Sequence, residues 1–318
     1  MKRPLIIITG PTASGKTATS VELALRLDTE IISADSMQVY RYMDVGTAKV
    51  TKEEMRGVVH HLIDVLDPKE DFNISIFQTL CKEAMEKIYA KGKIPMIVGG
   101  TGFYIQSILK DVEFDQQSEG DERIREELKQ VAEKEGNHAL WLRLFQVDEE
   151  GALAIPENNV KRVIRGLEYF MQTGEKISVH NAREAQKESP YQYRYYVIHH
   201  NRDVLYDRIN RRVDVMIQDG LVEEVKRLKA MGCNENHISM KGIGYKEILA
   251  YLDGMYSLED AIEEIKKGTR HFAKRQITWF KREESVLWRN YNDYHNDVNC
   301  LCDALEEEIR SGLCMDRG

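Results

Sequence analysis

Short apolar runs alternate with longer stretches of helical periodicity along this chain. Five runs of strand length, at 5–8, 30–33, 94–98, 194–199 and 286–288, are apolar and rich in β-forming residues. Helical stretches such as 18–27 and 74–89 separate them. Strands alternating with helices predict a parallel, doubly wound α/β sheet. The interval between the third and fourth strands is too long for one crossover. It fills most of 110–190, opens with a polar stretch at 115–120, and reads as helical throughout. Ile124, Leu128 and Val131 fall at i, i+4 and i+7. Val160, Val163, Ile164, Leu167 and Phe170 form a second apolar stripe, with Lys161, Arg162 and Arg165 displaced from it. The pattern therefore predicts an inserted all-helical domain over 113–190, with 1–112 and 191–318 forming the α/β core. No 20–50-residue repeat is present, which excludes a solenoid.

The first strand runs directly into Gly10-Pro11-Thr12-Ala13-Ser14-Gly15-Lys16-Thr17, which fits G-x-x-x-x-G-K-[ST], and helical periodicity follows it. The glycines let backbone N–H groups turn onto an anion, and the helix N-terminus adds a favourable dipole. Lys16 supplies a point charge and Thr17 a hydroxyl for Mg²⁺. The chain is expected to bind a di- or triphosphate in a P-loop NTPase-like core. Such a loop does not specify the reaction. An acid usually closes a neighbouring strand, yet the 94–98 run ends in Gly99-Gly100-Thr101-Gly102, without a carboxylate. Asp35 follows the second strand instead, at the carboxyl edge where ligands of open α/β sheets gather. On the residues alone, Asp35 is either an acid of the site or a turn or N-cap aspartate.

Composition narrows the class. The 318 residues are 42% hydrophobic and 31% charged, and mean hydropathy is −0.49. The longest apolar runs are far short of a spanning helix, so no membrane association is expected. Met1-Lys2-Arg3 precedes only a short run before the glycine loop, which gives no signal peptide. Five scattered cysteines without paired metal spacing suit a reducing cytoplasm. The net charge of −8 reads at first as opposing a nucleic-acid partner. However, 113–135 and 293–310 each carry −5, leaving +2 for the remainder. Within that remainder, 270–282 holds Arg270, Lys274, Arg275, Lys281 and Arg282 and no acid. Binding responds to the local field, so the sum excludes only an indiscriminate polyanion binder.

Taken together, the motifs resemble the bacterial tRNA dimethylallyltransferase (tRNA isopentenyltransferase, or IPP transferase) family. The resemblance covers most of the chain. It rests on the phosphate loop, Asp35-Ser36-Met37-Gln38-Val39-Tyr40, Asp44-Val45-Gly46-Thr47-Ala48-Lys49 and His60-His61-Leu62-Ile63-Asp64. It continues through Gly99 to Tyr104, Asn158 to Glu168, Ile243 to Glu247 and Thr269 to Phe280. Val50 stands where the family usually has proline, and Gly166 where it usually has alanine. The C-terminal zinc finger of eukaryotic relatives is absent, since Cys300-x-Cys302 lacks paired histidines.

The resemblance implies transfer of a dimethylallyl group from dimethylallyl diphosphate to N6 of adenosine 37, beside the anticodon of tRNA, with diphosphate released. It implies Asp35 as general base, Thr101 close to it, and the loop, Lys16 and Mg²⁺ stabilising the leaving group. Arg202 opens an arginine-containing segment that would clamp the same group. By the same resemblance Asp35, Ser36, Met37, Gln38 and Thr101 lie at the flipped base. Lys161, Arg162, Val163, Ile164, Arg165, Lys241, Lys246, Lys274, Arg275, Gln276, Trp279 and Lys281 lie in stretches that contact the tRNA anticodon stem-loop, together with Arg123 or Arg125. A cytoplasmic monomer is expected. Two related alternatives are a P-loop kinase of a nucleoside or small metabolite, and an adenylate isopentenyltransferase acting on free AMP. A nucleotide-regulated RNA-binding protein without catalysis is the alternative from another class.

Overall fold

The computed structural model describes residues 2–113, 122–255, 257–283 and 285–313. Six strands form one wholly parallel sheet: β1 (Arg3–Thr9), β2 (Ile31–Ser33), β3 (His60–His61), β4 (Met96–Gly99), β5 (Tyr191–His199) and β6 (Leu287–Asn290). Their order is β3-β2-β4-β1-β5-β6. In β1, Leu5, Ile6, Ile7 and Ile8 have no exposed surface, as a parallel strand covered on both faces requires. The five apolar runs of the sequence become β1, β2, β4, β5 and β6. The sixth strand, β3, is a two-residue edge of two histidines and has no apolar signature.

Chain connection fixes where a ligand can sit. From β1 the chain passes through α1 (Lys16–Arg26) to β2, which lies beyond β4, whereas β5 later pairs on the opposite side of β1. Strand order thus reverses at the carboxyl end of β1, the crevice in which open α/β sheets bind ligands. The short helix α2 (Lys52–Met55) and the longer α3 (Ile74–Tyr89) separate β2, β3 and β4, and α4 (Gly102–Leu109) leaves β4. Asn73 caps α3 by accepting the N–H of Ile76.

The chain divides into two compact units, Met1–Ile108 with Tyr191–Gly318, and Leu109–Pro190. The second unit is helical: α5 (Glu122–Glu135), α6 (Asn137–Val147), α7 (Glu149–Leu153), α8 (Val160–Thr173) and α9 (Ile177–Gln186). Leu128, Leu140, Leu144, Val163, Ile164 and Leu167 form its core, so the two apolar stripes of the sequence face each other. Gly166 of α8 lies against Leu144 of α6. A Cβ there would lie 3.0 Å from Leu144 Cδ1, tighter than ordinary contact, which gives the departure from alanine a packing reason. Asp148, buried, accepts the N–H of Gly151 at the start of α7 and both the N–H and hydroxyl of Ser178 in α9.

The first unit continues with α10 (Arg202–Gln218), α11 (Leu221–Ala230), α12 (Tyr245–Leu252), α13 (Leu258–Phe280) and α14 (Val298–Gly312). Leu301, Cys302, Leu305 and Ile309 of α14 pack with Val21, Leu23 and Ala24 of α1 against Ile6, Ile8 and Ile198 of the sheet. Burial of each such aliphatic side chain stabilises the unit by about 1.5–3 kcal/mol. Cys302 therefore belongs to the core, whereas Cys300 is exposed. No helix among the described residues is long and apolar enough to cross a membrane.

Candidate active site

A cavity of about 780 Å³ opens at the carboxyl ends of β1, β2 and β4. Its floor is the loop that follows β1. Gly15 (φ 91°) turns this loop into α1 without a side-chain cap, so the first N–H groups of α1 are left for a ligand. Thr12, Ala13, Ser14, Gly15, Lys16 and Thr17 line the cavity, whereas Gly10 and Pro11 do not. Lys16 Nζ donates to the Gly10 carbonyl (3.0 Å) and the Pro11 carbonyl (2.8 Å). Burial pushes its ammonium down to about 7; Arg212 lowers it further, and Asp35 opposes both.

The second wall comes from the segment after β2. Asp35 Oδ1 accepts the N–H of Met37 (2.9 Å) and of Gln38 (3.3 Å), holding a tight turn. Its other oxygen, Oδ2, takes no hydrogen bond from the described residues. The turn aspartate and the site acid are therefore compatible, one oxygen for each. Ser36, Met37 and Gln38 line the cavity beside it, and Gln38 Nε2 donates to the carbonyls of Thr47 and Ala48. Gly100 and Thr101, after β4, complete this side. Gln276 of α13 joins the walls: its Oε1 accepts the N–H of Thr12 (2.9 Å) and its Nε2 donates to the Gly100 carbonyl (3.0 Å).

The structure does not bring Arg202, the arginine expected at the diphosphate, into the cavity. Arg202, at the start of α10, is exposed, packs over the Tyr206 ring, and does not line the cavity. Arg208, Arg211 and Arg212 line the cavity instead. Arg208 Nε donates to the Ala13 carbonyl (2.8 Å) and Arg212 Nη2 to the Thr47 carbonyl (3.4 Å). Six residues of helix separate Arg202 from Arg208, about 9 Å of rise. The signal was in the sequence: Leu205, Ile209 and Val213 are the buried stripe of α10, and Arg208 and Arg212 share the adjoining face at i, i+4. Burial draws the Arg212 guanidinium below its ordinary value, and the Asp35 carboxylate pulls the other way.

The remaining candidates separate into three groups. Lys241, Arg275 and Gln276 line the cavity. Arg275 also borders a shallower recess of about 410 Å³ on α13 with Lys274 and Trp279. Trp279 lies against Gly102 and edge-on to Phe103. Lys281 is exposed just past α13, and Lys246 is exposed beside Glu247. In the helical unit, Lys161 and Arg162 are exposed on α8, whereas the Val163 and Ile164 side chains point into the core. The buried carboxylate of Glu168 pairs with Arg125 (2.7 Å) and Arg165 (3.2 Å), and Arg123 is exposed on α5. No cluster of three metal-ligating side chains occurs among the described residues.

An IPP transferase profile matches residues 38–283, and an isopentenyl transferase profile matches 3–67. The chain belongs to the IPP transferase family. Among its IPP transferase relatives is the tRNA dimethylallyltransferase of Lachnoclostridium phytofermentans, 52% identical over 96% of this chain and 97% of that protein. The crystal structure of the full-length tRNA isopentenylpyrophosphate transferase from Bacillus halodurans is similar at 41% identity and a TM-score of 0.73, with 99% of both chains covered. A eukaryotic dimethylallyltransferase acting on tRNA is similar at 27% identity and a TM-score of 0.83, covering 97% of this chain and 80% of that one.

Proposed function

We propose that this IPP transferase moves a dimethylallyl group from dimethylallyl diphosphate to N6 of adenosine 37 in the tRNA anticodon stem-loop. The observation that carries the reading is one cavity walled by both the open N-terminus of α1 and the unbonded Oδ2 of Asp35. The first suits a leaving diphosphate and the second a departing proton. In the step, the C1–O bond to diphosphate breaks, a C1–N6 bond forms, and the N6 proton passes to Asp35. Adenine N6 is a poor nucleophile until bond formation acidifies it, so a carboxylate acting in the transition state suffices. Negative charge grows on the diphosphate, where the N–H groups of the loop, Lys16, Arg208 and Arg212 stabilise it. Thr101 stands beside the base, and Ser36, Met37 and Gln38 meet the adenine.

Mg²⁺ fits the donor set. Thr17 is exposed at the cavity and offers one hydroxyl, and substrate phosphates with water supply the rest, the usual Mg²⁺ pattern. When bound, the ion neutralises charge on the leaving diphosphate. For the RNA, the exposed bases Lys241, Lys246, Lys274, Arg275 and Lys281 would hold phosphates. Lys161 and Arg162 would do the same in the helical unit, together with Arg123 or Arg125. A tRNA substrate places the work in the cytoplasm.

The test is mass spectrometry of an anticodon stem-loop after incubation with enzyme, Mg²⁺ and dimethylallyl diphosphate, with free AMP and ATP in parallel. A prenyl mass gain at adenosine 37 is expected. An unmodified loop with γ-phosphate transfer from ATP points to the kinase, and prenylated AMP alone to the adenylate enzyme.

A further inference from the structure

One buried carboxylate lies outside the chemistry just described and is bonded on all sides. Glu224, in α11, is 1% exposed. Its Oε2 accepts the N–H of Asp44 (2.8 Å) and of Val45 (2.8 Å), and its Oε1 accepts the N–H of Gly46 (3.0 Å) and the hydroxyl of Tyr245 (2.7 Å). No ion pair to Glu224 occurs among the described residues. Both oxygens are filled, so the group can neither take a proton from a substrate nor hold a metal. Three of its four donors are consecutive backbone amides about 180 residues away in the chain, at the open end of a turn closed by Ala48 N–H to Val45 O and Lys49 N–H to Asp44 O. A carboxylate at that end is electrostatically favoured as at a helix N-terminus.

The other end of the same turn faces the cavity. The Thr47 carbonyl accepts from Gln38 Nε2 (3.3 Å) and from Arg212 Nη2 (3.4 Å), and the Ala48 carbonyl also accepts from Gln38. Lys49 pins this end from behind: Nζ, with only 5% of its side chain exposed, donates to the Tyr40 carbonyl and pairs with Asp44 and Asp64 at 2.6 Å each. The Tyr245 ring closes the remaining side, since a Cβ on Gly46 would lie 2.5 Å from it. Burial and the Glu224 carboxylate hold the Tyr245 phenol protonated, so it stays a donor.

We propose that Glu224 is a positioning residue for the transfer reaction. By fixing the 44–48 turn through its amides, it sets one carbonyl that orients both Gln38 on the adenine side and Arg212 on the diphosphate side. The proposal rests on the function proposed above, and it predicts that loss of the carboxylate degrades recognition of both substrates together. In Glu224→Gln the shape is kept, but an NH₂ group is turned against backbone donors. The KM for tRNA and the KM for dimethylallyl diphosphate are each expected to rise about 10–100-fold, the scale on which small misplacements act. Tyr245→Phe, which removes one donor and leaves the carboxylate on three amides, is expected to stay within about threefold of the parent.

Initial rates with each substrate varied, with circular dichroism to score folding, read this out. A purely structural role reduces the amount of active enzyme and thus Vmax, and leaves both KM values unchanged. Folded Glu224→Gln with both KM values within about twofold of the parent overturns the proposal. If that variant does not fold, Glu224→Asp is measured with hydrogen exchange at residues 44–46. Faster exchange with raised KM values supports the proposal, and faster exchange with parental KM values overturns it. A parent enzyme inert on tRNA would sink the functional reading instead. The Glu224 proposal would then stand or fall on whether Glu224→Gln weakens calorimetric binding of inorganic diphosphate with Mg²⁺ by at least about tenfold.

Discussion

The division of labour between the two oxygens of Asp35 makes a two-variant experiment decisive. Asp35→Asn retains an acceptor for the Met37 and Gln38 amides at the position of Oδ1, and replaces Oδ2 by a group that cannot take a proton. Loss of a general base costs about 10²–10⁴ in rate. At about 1.36 kcal/mol per decade, kcat should fall by about 2.7–5.5 kcal/mol of barrier. The KM for tRNA should stay within about threefold, because the turn survives. Asp35→Ala also frees both amides. They share one oxygen and the second bond is long at 3.3 Å, so the turn loses about 2 kcal/mol, near one charge-assisted hydrogen bond. Its kcat should match that of Asp35→Asn, and its KM for tRNA should rise as well. Initial rates of diphosphate release against tRNA concentration, at saturating dimethylallyl diphosphate, separate the two effects. An Asp35→Asn enzyme with kcat within about threefold of the parent would refute the assignment of a base to Oδ2. Equal KM defects with intact kcat would leave Asp35 as a turn residue alone.

Arg212→Met should lower kcat/KM for dimethylallyl diphosphate about 10²-fold or more, the usual loss for a charge that stabilises a leaving group, while Arg202→Ala leaves it unchanged. The reverse order in the same kinetic assay would restore Arg202 to the site. Gly46→Ala should destabilise the first unit by about 1–3 kcal/mol through overpacking, because the Tyr245 ring is buried and its hydroxyl is tethered. Calorimetry would show a lower melting temperature, and an unchanged one would mean that the ring yields. For pH dependence, burial pushes the Asp148 carboxyl up, but hydrogen bonds from Ser178 and Gly151 outweigh it and hold it below the ordinary aspartate range. The unfolded chain then binds a proton more readily, so the stability contributed is present above about pH 3.9 and lost as pH falls through the folded value. Hydrogen exchange in α7 and α9, corrected for intrinsic rates, should accelerate on acidification below that pH. Asp148→Asn should lack this step, and retention of it would remove Asp148 as the cause.

The α/β architecture was legible because the central strands are buried on both faces and show as unbroken apolar runs; Leu5 to Ile8 is the plainest. Strand β3 was not legible, since two edge histidines carry neither alternation nor length. The phosphate loop could be read because backbone conformation, written in glycines, is local. The arginines needed one more piece of knowledge. Arg202, Arg208, Arg211 and Arg212 are equivalent in composition, and only the phase of α10, set by Leu205, Ile209 and Val213, turns the last three toward the cavity. Glu224 lay beyond reach for a different reason. Its partners are backbone amides far away in the chain, and a backbone amide has no residue type to search for. Gln276 likewise reads as one more polar residue in a basic helix until its two hydrogen bonds are seen.

Those two bonds limit what evolution can do at that helix position. The amide of Gln276 accepts at one end and donates at the other, spanning from the Thr12 N–H to the Gly100 carbonyl. Glutamate has the length but lacks the donor, lysine lacks the acceptor, and asparagine is one methylene too short. Each leaves a half-buried backbone group without this partner, at no more than about 1–3 kcal/mol. Arg275, one residue earlier, is exposed and carries no such requirement. Substrate preference can therefore drift along the exposed side of this helix, while its buried side stays locked to a single side chain.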